Sequence, residues 1–328
     1  MKGIQHIEVF NRTTKFEFDL YRNITVIRGD SGTGKTTLYN MIADYARLRE
    51  ESGVNLSSLK PCVVLEPNAD YRYQLSTCRD SIVFIDEGAR YLSSPSFAEA
   101  VRDSDNYYVI FNREGLPNLP YSVDEIYEIV TSGRYHSLRK FYPSGELHRY
   151  TSNLPGTTED FQVLLSEDIG AGQEFFRALL GQTKVRCEAA GGKTLIFQWL
   201  KEHSAESTLV IADGAAFGAE IDKVMQLCRQ YSGRMQLCLP ESFEWLILKS
   251  GIIPENRSEI AEILQNPSAY IESGDYFSWE QFFTAELIRR TTGTQLKYSK
   301  KRINKAYLQG SNPRRILSEI LGKIPEEK

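Results

Sequence analysis

The feature that most narrows what this chain can fold into lies near its start. Residues 23–28, Asn-Ile-Thr-Val-Ile-Arg, read as a strand. Gly29-Asp30-Ser31-Gly32-Thr33-Gly34-Lys35-Thr36 follows at once and matches GxxxxGK plus Ser or Thr at every fixed position. Thr36–Arg49 then carries Leu38, Met41, Ile42 and Tyr45 on one helical stripe. Strand, glycine-rich loop and helix in that order belong to an α/β sheet. The glycines let successive backbone N–H groups turn inward toward phosphate oxygens, and the helix N-terminus adds a favourable dipole. On this reading Gly29 to Thr37 bind a nucleotide. Gly29, Asp30, Ser31, Gly32, Thr33 and Gly34 wrap the phosphates, Lys35 reaches the β- and γ-phosphates, Thr36 ligates Mg²⁺, and Thr37 continues the first helical turn.

Hydrolysis needs a second donor for the metal and a base for water. Ile82-Val83-Phe84-Ile85-Asp86-Glu87 ends four apolar residues in two carboxylates. Such continuous hydrophobicity suggests a strand covered on both faces, and ligands of open α/β sheets gather at the carboxyl ends of strands. Asp86 is the candidate to hold Mg²⁺ through water, and Glu87 the candidate general base. Tyr107–Phe111 is the next strand. Asn112 follows it, either to orient the water or sense the γ-phosphate, or as a plain strand-end turn.

Length and composition agree with two soluble domains: 328 residues, 41% hydrophobic, 25% charged, net charge −4. That excludes a disordered chain, a fibre and a polycation coating nucleic acid. No apolar run reaches the ~20 residues needed to cross a bilayer, and the first eight residues lack the apolar core of a signal peptide. We therefore expect a cytoplasmic protein without membrane contact. Five scattered cysteines with no CxxC pair fit reduced thiols.

Residues 4–10 and 15–20 alternate like an antiparallel hairpin ahead of the phosphate loop, 51–61 read as a loop, and 124–130 and 137–142 read as edge strands closing a first domain at 1–150. Residues 151–160 are rich in turn formers, and 151–178 reads as a linker. An α/β rhythm resumes over 179–252, followed by a helical extension over 253–328. In that rhythm Glu188 and Asp213 fall at the ends of two strands joined by one helix. A right-handed crossover makes those strands parallel, so the two carboxylates would share a metal. Gly191-Gly192-Lys193-Thr194 also ends like a second phosphate loop, with Cys187 where its first glycine would stand, and an α/β domain with ordinary strand-end carboxylates is a third reading.

The first 150 residues resemble P-loop ATPases in which an antiparallel hairpin precedes the phosphate-loop strand, as in ABC-type and recombination ATPases. They lack an LSGGQ-like signature, and Asp86 follows Lys35 by only 51 positions. Residues 180–250 resemble the Toprim fold of topoisomerases, primases and nucleases, where a Glu ends one strand and a DxDxxG-like motif ends the next. Glu188 matches the Glu, Asp213 the first Asp and Gly218 the glycine. Ala215 stands where the second Asp would be, and Glu244 or Glu220 could substitute in part. The domain order is similar to the overcoming-lysogenisation-defect family. That resemblance implies an ATP- and Mg²⁺-dependent homo-oligomer that binds or cleaves nucleic acid, in phage defence. If the second site is inactive, it implies an ATP-gated switch that recruits an effector protein. The resemblance also implies metal ligation by Thr36, Asp86, Glu188, Asp213 and Glu244.

Between Arg289 and Arg315 the chain carries nine basic residues and no acidic one, with Tyr298 and Tyr307 interleaved. This segment is the candidate nucleic-acid surface. Arg90, Arg113 and Arg134 are either arginine fingers in an oligomer or plain surface and ion-pair arginines.

Overall fold

The computed structural model describes residues 1–30, 32–142, 149–150, 161–231, 233–254, 257–318 and 320. Ser31 and residues 151–160 lie outside the described residues, and so therefore do the part of the phosphate loop and the part of the linker expected there. The chain divides into two compact units. One comprises residues 1–143 and 266–278, the other 144–265 and 279–328.

The first unit is built on a nine-stranded mixed sheet. In chain order it holds β1 (Gln5–Phe10), β2 (Lys15–Leu20), β3 (Ile24–Arg28), helix α1 (Lys35–Leu48), β4 (Asn55–Ser58) and β5 (Cys62–Leu65). Helix α2 (Tyr71–Ser76), β6 (Ile82–Ile85), α3 (Pro95–Arg102), β7 (Tyr107–Phe111), β8 (Ile126–Ser132) and β9 (Tyr135–Lys140) complete it. The sheet order is β4-β1-β2-β9-β8-β3-β7-β6-β5. β1 and β2 form the anticipated antiparallel pair, with Ile7 opposite Phe18.

The half-sheet around β3 is parallel: β3 pairs with β7 and β8, β7 with β6, and β6 with β5. Its central strands β3, β6 and β7 are buried along their whole length. That explains why their sequences run apolar instead of alternating. After β3 the chain places β4 at the hairpin edge, crosses to the far edge at β5, returns through β6 to β7 beside β3, and then adds β8 on the other side of β3. The order thus reverses next to β3, the kind of switch point at which a crevice opens beyond the strand ends.

Two sequence expectations are corrected here. The strands expected at 124–130 and 137–142 do not lie at an edge. β8 and β9 sit inside the sheet and link the hairpin to the parallel half through short β2–β9 pairing at Lys15–Tyr135 and Phe16–His136. Residues 55–58, expected as loop, form edge strand β4 against β1. The core gathers Ile7, Val9, Phe16, Leu20, Ile27, Leu38, Ile42, Phe84 and Phe111. Residues 266–278 join this unit through Gly3 N–Ser268 O at 2.7 Å, Ser273 Oγ–Met1 O at 2.8 Å and the Met1 ammonium on Glu272.

The second unit holds β10 (Arg149–Tyr150), β11 (Val163–Ser166), α4 (Ala171–Leu180), β12 (Arg186–Ala189), α5 (Lys193–Glu202) and β13 (Thr208–Ile211). It continues with α6 (Ile221–Gln230), β14 (Met235–Cys238), α7 (Phe243–Lys249), α8 (Arg257–Gln265), α9 (Trp279–Thr291) and α10 (Asn312–Ile316). The sheet order is β10-β14-β13-β11-β12. Its four strands β11 to β14 are parallel, and β10 is antiparallel to β14.

The residues expected as linker beyond 160 therefore include the central strand β11 and helix α4. β11 is Val-Leu-Leu-Ser, buried at every position between β13 and β12. α4 buries Phe175, Phe176 and Leu180 on one face. No helix among the described residues is long and apolar enough to cross a membrane.

Candidate functional sites

In the first unit the loop after β3 turns through Gly29, Gly32 and Gly34, all at positive φ (131°, 86° and 99°). At Gly34 the left-handed backbone caps α1, and a side chain there would also meet the Phe16 ring at 3.6 Å. Glycine is the residue that suits such a position. The first turn of α1 carries no acidic residue of its own to offset its positive end. Lys35 is 6% exposed. Its Nζ donates to Asp30 O at 2.9 Å and to Gly29 O, with Thr33 Oγ1 at 3.4 Å. Burial lowers the Lys35 pKa, aided by Arg113 and opposed by Glu87, Asp30 and Asp86. These four charges surround one ammonium, so β3, β6 and β7 deliver their end groups to one place.

An open cavity of about 410 Å³ lies against this loop, lined by Asp30, Lys35, Thr36, Thr37, Glu87 and Arg113, with Thr14, Thr131 and His136 on the hairpin side. Gly32, Thr33 and Gly34 border it as well. Asp86 directly follows β6 and lies near enough that its charge raises Tyr39, which burial pushes up to about 12. Glu87 is held by Arg113 through a two-pronged pair, Nε–Oε2 3.1 Å and Nη2–Oε1 3.0 Å. Asn112 donates its Nδ2 to Glu114 O at 2.7 Å, which is the strand-end turn weighed for it. The amide is thus committed to its own loop. His136 stacks on Phe16 at 4.4 Å and bonds Thr131 Oγ1 at 2.9 Å, and burial lowers its pKa. Sequence reading missed His136 and Thr131 because β9 pairs with β2 across more than a hundred residues.

In the second unit the structure replaces one member of the expected carboxylate pair. β12 pairs with β11, not with β13, so a whole strand separates Glu188 from Asp213. Glu188 also lies within β12, where Arg186 takes it at 3.0 Å. The residue beside Asp213 is Glu167, at the end of β11. Its Oε2 accepts the Asp213 N–H at 3.0 Å, and its backbone oxygen accepts from Gly191 and Gly192 at 3.0 and 2.9 Å. The Gly191–Gly192 turn is therefore spent on holding β11. Lys193 Nζ donates to Ala216 O at 2.7 Å. A second phosphate loop there would have to give up these bonds.

Glu167 and Asp213 line a cavity of about 80 Å³ with Glu244, Tyr298 and Lys300. Glu244 is 1% exposed. Its Oε1 accepts the Tyr298 hydroxyl at 2.7 Å, and its buried Oε2 has no hydrogen-bond partner. Burial raises the Glu167 pKa to about 7, with Asp168 and Glu280 adding to it. Asp213 keeps a face toward the cavity but is enclosed by protein. Burial first, then the charges of Glu280, Glu167 and Glu244, hold its pKa well above the carboxylate range, with Lys300 opposing. Lys300 in turn is paired with Glu280.

Ala215 is buried in a short turn and brings no carboxylate, and Glu220 is buried outside this lining. Among the described residues no group of three or more His, Cys, Asp or Glu is close enough to hold a metal ion.

The basic segment is only partly available. Arg289 and Arg290 pair with Glu286, Lys300 with Glu280, and Arg315 Nη2 donates to Gly251 O at 2.7 Å. Lys297, Lys301, Arg302, Lys305 and Arg314 are exposed. Tyr298 and Tyr307 are buried, so neither presents a ring for base stacking.

No family model matches the chain, and no curated protein or solved structure matches it either.

Proposed function

We propose that the first unit is a P-loop nucleoside triphosphatase using Mg²⁺ and ATP. One observation carries this reading. Lys35 of the loop after β3, Glu87 after β6 and Arg113 after β7 line a single open cavity at a switch point of a parallel sheet. Lys35, now on loop carbonyls, would exchange them for β- and γ-phosphate oxygens. Thr36 and Asp86 offer the hard oxygen donors that Mg²⁺ accepts, and Mg²⁺ binds through one or two such groups while keeping its waters. The bound ion would offset phosphate charge. Glu87 accepts the proton of the attacking water. Asn112, tied to Glu114 O, serves to shape the β7 end and not to touch that water. The test is titration of ATP with Mg²⁺ into wild type and Lys35→Ala by calorimetry. Absence of heat with the wild type removes the reading.

For the second unit we propose a Toprim-like site acting on nucleic acid, with Glu167 in place of Glu188 as the strand-end glutamate. The support is the adjacency of Glu167 and Asp213 on paired parallel strands, with exposed Lys301, Arg302 and Lys305 in the same unit. Ala215 supports the second reading, an ATP-gated scaffold for an effector protein in which this site binds without cutting. Self-association on ATP and a role in phage defence are proposals that follow from the resemblance, and a cytoplasmic location is a proposal that follows from the five scattered cysteines.

A further inference from the structure

The candidate base is not poised for water. Glu87 follows β6 and Arg113 follows β7, and these strands are parallel neighbours with Ile85 opposite Ile110. The guanidinium takes both carboxylate oxygens, at 3.1 and 3.0 Å, so the carboxylate faces the fork and not a water on a phosphorus. Both side chains line the cavity that holds Lys35 and Asp30. Arg113 is close enough that its charge acts on Lys35 and that of Asp30 acts on it. The pair is substantially exposed, 53% for Arg113 and 36% for Glu87. Exposed ion pairs are weak. A guanidinium fork fits phosphate as well as carboxylate, so a terminal phosphate entering this cavity competes directly for Arg113.

We propose that Arg113 is a nucleotide-operated latch on Glu87 within one chain. It holds the glutamate while the cavity lacks a triphosphate and moves to the terminal phosphate when one binds, which frees Glu87. The proposal rests on the reading of residues 29–36 as a phosphate site. In the step it controls, the water oxygen bonds to the γ-phosphorus. The bond from that phosphorus to the β–γ bridging oxygen breaks, and its electron pair stays on the diphosphate. The water proton goes to Glu87. Arg113 stays on the inorganic phosphate until that leaves and then returns to Glu87.

The experiment measures affinity for a non-hydrolysable ATP analogue and for ADP, and phosphate release, in the full chain. It compares wild type, Arg113→Ala, Arg113→Lys, Glu87→Gln and the double variant Glu87→Gln/Arg113→Ala. Arg113→Ala should lose about tenfold or more in triphosphate affinity, the scale of a charge-assisted hydrogen bond, with ADP affinity little changed. Arg113→Lys should recover part of it. Glu87→Gln should bind the triphosphate more tightly than wild type, because the competitor for Arg113 is weakened. That gain should vanish in the double variant. A merely structural Arg113 would shift both nucleotides alike. If Lys35→Ala abolishes binding while Arg113→Ala keeps the wild-type ratio of the two affinities, the latch is wrong and the phosphate site stands. If wild type binds neither nucleotide, both fall.

Discussion

Both units bring carboxylates to the carboxyl ends of neighbouring parallel strands, and they treat the resulting charge in opposite ways. In the first unit Glu87 meets Arg113, Asp30 and Lys35 line the same open cavity, and the charge of Asp86 reaches Lys35. Three carboxylates against two cations leave the charges there nearly balanced before any ligand arrives. In the second unit Glu167, Asp213 and Glu244 line a small cavity, the charge of Glu280 reaches Asp213 as well, Lys300 opposes them, and burial adds to the repulsion. A balanced open site is suited to exchanging partners with a large anion. A crowded, half-dry acidic site relieves its repulsion by taking up protons.

The largest expected effects lie in the balanced site. Glu87→Gln should keep nucleotide binding and lose about 10²- to 10⁴-fold in turnover, the usual worth of a general base. Steady-state phosphate release checks this, and a variant that hydrolyses normally means the wrong base was chosen. Next comes the acidic site. With Mg²⁺ or Mn²⁺, plasmid nicking should fall in Glu167→Gln and Asp213→Asn by more than the ~10- to 100-fold typical of outer-shell changes. Glu188→Gln should stay near wild type. Equal nicking by all four proteins removes cleavage and leaves the scaffold reading, whereas loss only in Glu188→Gln would reverse the assignment made here.

That contrast marks where the sequence was readable. The phosphate loop lies in one contiguous stretch, and β6, apolar at all four positions, runs straight into Asp86 and Glu87. Glu167 carries the same kind of signal, an apolar run ending in an acid. But β11, Val163–Ser166, is as short as β6, puts a serine before its acid, and stands after a turn-rich stretch that draws it into the linker. Its strand character comes from partners far along the chain, Thr208–Ile211 on one side and Arg186–Ala189 on the other. Glu188 was chosen because consecutive strands were assumed adjacent, and the insertion of β11 between β12 and β13 undoes that. Four-residue segments carry too little periodicity to reveal a sheet order set by non-local pairing. Arg113 was visible as an arginine but not as the partner of Glu87, since the parallel register of β6 and β7 makes that pair.

A smaller effect should separate the two sites by pH. Glu167 titrates near 7 in the folded state against an ordinary 4.5. Between those values the folded chain binds more protons than the unfolded one, so stability falls as pH rises through that window. The loss above pH 7 amounts to roughly 3 kcal/mol, and Asp213 acts in the same direction. Glu167→Gln keeps an oxygen to accept the Asp213 N–H and removes the charge. Urea titrations from pH 5 to 8 should show a flatter profile for this variant and higher stability than wild type at pH 8. Parallel profiles for the two proteins would mean that the acidic cluster is more hydrated than its packing implies.

The smallest effect tests what holds Lys300 at the cavity. Gly170, just before α4, has the Lys300 carbonyl so close that a β-carbon would sit 2.6 Å from its oxygen. That oxygen also accepts the Ala171 N–H at 2.9 Å, and Glu174 accepts the Ile303 N–H at 2.8 Å. Because the clash is with backbone, a side-chain rotation cannot relieve it, and Gly170→Ala must move the 300–303 segment. We expect a loss of about 1–3 kcal/mol, the range for overpacking. Lys300 should retreat from Asp213, which weakens a charge that opposes protonation there. The variant should therefore lose stability with rising pH more steeply than wild type, and Gly170→Ala combined with Asp213→Asn should lose that extra slope. A Gly170→Ala protein whose pH profile overlays wild type would show that Lys300 is placed by its pair with Glu280 alone.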